Sequence, residues 1–145
     1  MDDARGAAVV YQRLLARSQH WADLDPKNTF WQRNLAISHG KVAQAQAALG
    51  DLPAAIAGLR HATALIDALL VASPDSADLA GDLAETQVRL GDVYLRRGDR
   101  PAARAAYGVA LKARRALAAA DPGNPERAAA ITKVEAAIAA VPSER

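Results

Sequence analysis

The sequence predicts an all-α protein of six helices laid down as antiparallel pairs, and three observations lead there. The chain repeats itself: Asp25-Pro26, Ser73-Pro74 and Asp121-Pro122 recur at intervals of 48 residues. The same offset relates Gly50-Asp51 to Gly98-Asp99, Pro53 to Pro101, and Ala54-Ala55 to Ala102-Ala103. Ungapped self-similarity of this kind marks tandem units that bury their apolar faces against one another. Composition is the second observation. Alanine fills roughly a quarter of the chain and β-branched residues are few, which favours helix, since alanine loses no side-chain entropy there, and disfavours sheet. Thirdly, proline and glycine punctuate the repeat at the places where helices must stop.

Taken in order, residues 4–23 form a helix of the second kind in a unit. Asp3 lies 48 positions before Asp51, and Tyr11 lies 48 before Leu59, so the first helix of that unit is missing. This half unit (1–24) leads into two full units, 25–72 and 73–120, and a closing helix within 121–145, all in a single repeat domain. The first helix of each unit begins after an N-cap residue, Asn28, Ser76 or Asn124, whose side chain can accept from a free backbone N–H. Pro125 suits the first helical position, and Asp78 and Glu126 suit the positive helix end. Positions 31, 35, 38, 42, 45 and 49, like 79, 83, 86, 90, 93 and 97, alternate steps of four and three and draw one mostly apolar stripe per helix. Gly50 and Gly98 end these helices, and Asp51 and Asp99 cap the next ones, with Pro53 and Pro101 in their first turns. Inward positions of the second helices are Ala55, Leu59, Ala62, Ile66 and Leu69, then Ala103, Tyr107, Ala110 and Leu117. The closing helix has its stripe at Ile131, Val134, Ile138 and Val141.

Leu90-Gly91-x-x-Tyr94, followed by Gly98-Asp99, Ala103, Tyr107 and Ala110, resembles the core of a tetratricopeptide repeat at its usual internal spacing. The first full unit departs from that pattern, with Val42-Ala43, Gln46 and Leu59 at the corresponding places. The period exceeds the usual ~34 residues by two heptads, about two further turns per hairpin helix. The stretch Asp25-Pro26-x-Asn28-x-x-Trp31-Gln32-Arg33-x-Leu35-Ala36 is similar to the opening of a long-helix subgroup found in bacterial multi-repeat proteins. What the resemblance implies is a right-handed α-solenoid that binds a protein or peptide partner along a concave groove lined by the first helix of each unit. By register that groove carries Arg33, Ile37, Lys41 and Gln44, then Glu85, Arg89, Asp92 and Arg96, then Lys133. The family's carboxylate-clamp pattern is not matched: Lys41 fits one of its positions, but Gln44 and Asp92 stand where asparagine belongs.

Other function classes find less support. The formal net charge of +2 is too small to imply a nucleic-acid partner. The run Arg96, Arg97, Arg100, Arg104, Lys112, Arg114 and Arg115 could meet phosphates, but it lacks interleaved aromatics for base stacking. Without cysteine there is no thiolate metal site, and His20, His39 and His61 never stand three or four residues from one another, with Asp23 the lone carboxylate at such a spacing from any of them, so no metal or other cofactor is expected. No phosphate loop, serine elbow or acid–base pair points to an enzyme. The start of the chain lacks a secretory signal and no apolar run is expected to span a bilayer, which together suggest a cytoplasmic protein. Trp21 and Trp31 fall on apolar stripes and are expected in the core rather than as partner anchors. The unpaired first helix gives a last expectation: the chain is part of a larger repeat protein, or it self-associates through residues 4–23, with Tyr11 and Leu14 near a homodimer contact.

Overall fold

The computed structural model describes residues 2–142, and among them the protein has six α-helices and no strand. They are α1 (Asp2–Leu24), α2 (Thr29–Ala48), α3 (Leu52–Ala72), α4 (Ala77–Arg97), α5 (Arg100–Ala120) and α6 (Pro125–Ala140). The chain divides into two compact units, residues 1–74 and 75–145. In the first unit α2 packs against both α1 and α3; in the second, α5 packs against both α4 and α6.

Helices α2 to α6 each begin where a side chain can replace the missing backbone acceptor. Asn28 accepts from Phe30 and Trp31, Ser76 from Leu79, and Asn124 from Glu126. The two Gly-Asp turns are built alike. Gly50 and Gly98 sit at φ 86° and 88°, the left-handed region that glycine enters without a Cβ clash. In both, the glycine N–H reaches back to Ala47 or Leu95, and the following aspartate N–H to Gln46 or Tyr94. This pattern satisfies the last free carbonyls of α2 and α4. Asp51 and Asp99 then accept from the N–H groups of Ala54 and Ala102, both at 3.1 Å, and so start α3 and α5.

The stripes become the cores. In the first unit Leu35, Val42, Ile56, Leu59 and Ile66 are buried beside Ala43, Ala55 and Ala62, whose small side chains let the helices approach closely. In the second unit Tyr107 is the largest wholly buried side chain, set among Ala103, Ala110, Val134 and Val141.

Three expectations need correction. Trp21 is not a core residue: it is 42% exposed. It lies in the last turn of α1, and its ring stacks on half-buried Trp31 across the α1–α2 turn, with centroids 5.3 Å apart and planes 16° apart, instead of entering the interior. Leu49 falls on the α2 stripe yet is 43% exposed, since the helix ends at Ala48 and the chain turns away. Finally, α3 is long and apolar enough by composition to cross a bilayer. Arg60 and Asp67 are its only charged residues, and both are exposed, while the buried side packs on α2.

Candidate functional site

The expected partner-contacting residues in the first unit lie on α2. Successive steps of four and three place Phe30, Asn34, Ile37, Lys41 and Gln44 along one side of that helix. Phe30 is 62% exposed, Ile37 is 37% exposed, and Gln44 is exposed as well. Lys41 is half-buried, its ammonium 5.5 Å from the centre of the Tyr11 ring on α1, within cation–π range. Arg33, one step round the helix, is half-buried and engaged by other groups of the protein. A large ring and an isoleucine open to solvent beside a cation and an amide make a face of mixed character.

In the second unit the expected residues on α4 are less free. Glu85 and Arg89 form an ion pair one turn apart. Asp92 accepts a 2.6 Å hydrogen bond from the Tyr107 hydroxyl of α5. Burial and that bond push the phenol above its usual pKa, so it stays a donor. Asp92 is thus a structural acceptor for a core tyrosine as well as an exposed carboxylate. Arg96 and, on α6, Lys133 are exposed. Of the basic run, Arg104 donates to the Val141 carbonyl at 2.6 Å and Arg115 pairs with Glu135 at 2.8 Å, so both are held by the protein itself.

On α1, Tyr11 and Leu14 are half-buried, whereas their neighbours Val9 and Val10 are 54% and 60% exposed. Among the described residues no cluster of three or more histidine, aspartate or glutamate side chains could hold a metal ion.

Two features escaped the sequence reading. The first is an aromatic group where α1 meets α2. Beyond the stacked indoles, Phe30 meets Trp31 edge-on at 4.9 Å and His20 meets Trp21 edge-on at 5.5 Å. The adjacency of 20–21 and 30–31 across one short turn was the available signal. The second is a histidine pair. His39 of α2 and His61 of α3 touch with ring centroids 4.3 Å apart, and the buried Nε2 of His39 has no hydrogen-bond partner. Desolvation, with His61 adding to it, lowers the His39 pKa to about 4. Twenty-two positions of separation hid the pair; only the α2–α3 hairpin brings it together.

The chain matches no protein-family model and no curated protein.

Proposed function

We propose that this protein is a helical-repeat scaffold of tetratricopeptide type that binds a protein or peptide partner along the outward faces of its first-kind helices. The observation that carries this reading is the α2 face, where Phe30 and Ile37 stay open to water in line with Lys41 and Gln44. An exposed aromatic ring flanked by polar groups is the usual makeup of an interaction hot spot and its rim. The 48-residue register, the Gly-Asp turns and the Gly91–Tyr107 contact support the repeat assignment. The same reading expects the hairpins to stack as a right-handed solenoid, which small-angle scattering tests.

Affinity capture followed by quantitative binding tests the function. Phe30→Ala, Ile37→Glu and Arg96→Glu should each weaken the captured partner while leaving the melting temperature within a degree or two, as expected of exposed positions, and Arg89→Glu, which also breaks the pair with Glu85, should weaken it as well. A partner indifferent to all four would place the site elsewhere.

A second reading is self-association through α1, favoured by the exposure of Val9 and Val10 next to Tyr11 and Leu14. Sedimentation over a range of concentrations should then show a dimer that Val10→Glu or Leu14→Glu dissolves. A monomer at every concentration removes this reading.

A further inference from the structure

At one end of the second unit a cleft of about 290 Å³ opens between the start of α4, the end of α5 and the start of α6. Gly81, Arg114, Leu117, Asn124, Glu126 and Arg127 are in its wall. The repeat register makes two of these residues unusual. Forty-eight positions earlier, Arg114 corresponds to Ile66, a core side chain only 2% exposed. Gly81 corresponds to Arg33. A guanidinium therefore stands where the sister unit has a core isoleucine, and a side chain is missing where the sister unit has a long one. A Cβ built at Gly81 meets nothing within 4 Å, so the space in front of it is open.

One donor of Arg114 is not satisfied from within. Its Nε is buried and has no hydrogen-bond partner, a costly state for a cationic donor. Asp121, at the end of α5, is already committed: it accepts from Asn124 at 3.0 Å and from Arg127 at 3.1 Å, which holds its carboxyl below the usual range. Glu135 is taken by Arg115.

We propose that this cleft binds a small carboxylate, with Arg114 as the charged anchor. The flat guanidinium matches the two oxygens of a carboxylate. Arg127 is compensated by Asp121, which leaves Arg114 as the uncommitted cation of the wall, while Glu126 in the same wall sets one negative charge against it and repels a second on the ligand. A monoanion is thus favoured over a phosphate dianion. Buried Leu117 offers apolar surface to the carbon body of the ligand. The carboxylate belongs either to a free short-chain acid or to a glutamate side chain of a bound peptide; only the second source rests on the partner-binding reading above.

The test follows the Arg114 Nε–H resonance of the labelled full chain while sodium butyrate, inorganic phosphate or a capped glutamate tripeptide is added at constant ionic strength. Butyrate or the tripeptide should produce a saturable shift with a midpoint on the order of millimolar, as a single charge-assisted contact allows. Which of the two does so identifies the source. Gly81→Arg, which puts the first unit's residue into the cleft, should weaken that response by about tenfold or more while leaving Arg114 in place. Arg114→Ile, also the first unit's residue, should abolish binding followed by calorimetry and leave the melting temperature equal or higher, since it removes a poorly paired buried group. No saturable response to either carboxylate, a response equal for phosphate, or one unchanged in the Gly81→Arg protein would overturn the proposal. None of these results bears on Phe30 or Ile37, so a failure here is distinct from a failure of the scaffold reading.

Discussion

The hairpin of the first unit and that of the second share one register and fill it with different side chains. Where the second has Tyr107 opposite Gly91, the first has Leu59 and Ala43 at the same two positions, all four buried. A Cβ on Gly91 would lie 2.5–2.9 Å from the Tyr107 ring, far inside contact distance. The larger ring is therefore accommodated by removing a methyl group from the facing helix. The hydroxyl brings a further requirement, met by Asp92; the first unit, with no hydroxyl to satisfy, carries exposed Gln44 there. Volume and polarity are exchanged between facing positions while the backbone register stays fixed, as close-packed interiors require.

The sharpest break in this comparison comes from emptying the two sites. Tyr107→Ala should cost about 4 kcal/mol, from the lost ring, the cavity and the stranded Asp92 contact, against about 3 kcal/mol for Leu59→Ala. Chemical denaturation of both variants measures this, and a Tyr107→Ala loss below about 1 kcal/mol would mean the ring is not a core element.

The next effect separates the units by pH. His39 is neutral in the fold, with a pKa lowered to about 4 from 6.5. The unfolded chain takes up the proton first, so this contribution is fully present above pH 6.5 and is lost as pH falls towards 4. Its ceiling is about 3 kcal/mol, reduced by whatever hydration the half-buried ring keeps. The second unit has Gln87 and Val109 at these positions and lacks the device. His39→Gln should therefore flatten the acid limb of the stability profile; an unchanged limb would assign it to other groups.

Smaller and equal effects are expected at the two turns. Gly50→Val and Gly98→Val should each cost about 1–2 kcal/mol, since both glycines hold positive φ with open space around them, so strain alone is measured. Unequal losses would show that the turns differ in more than sequence.

How much of this was legible in the sequence depends on the kind of signal. Helix ends were readable because caps, prolines and turn glycines act locally: Asn28, Ser76, Asn124, Asp51 and Asp99 all cap as their residue types and spacing imply. Buried stripes were readable because helical periodicity is a one-dimensional pattern; Val134 and Val141 lie in the core as their spacing indicates. Periodicity does not say how many neighbours a stripe has. Trp21 sits on an apolar line, but at the end of α1 it finds Trp31 rather than an interior. Contacts between helices were the hardest to foresee. The Asp92–Tyr107 bond, the His39–His61 pair and the orphaned Arg114 depend on which faces meet, and a site residue such as Asp92, placed correctly on its helix, proves to be already in use.

The central claim, that one register with exchanged volumes builds both hairpins, is tested most directly by a double-mutant cycle at Gly91 and Tyr107. Gly91→Ala alone should cost about 1–3 kcal/mol, because the methyl group collides with the ring. In the Tyr107→Leu background, which installs the first unit's pair, the same Gly91→Ala change should be neutral or stabilising, giving a coupling energy of about 1–3 kcal/mol. A coupling near zero, with Gly91→Ala equally costly beside leucine, would contradict the account.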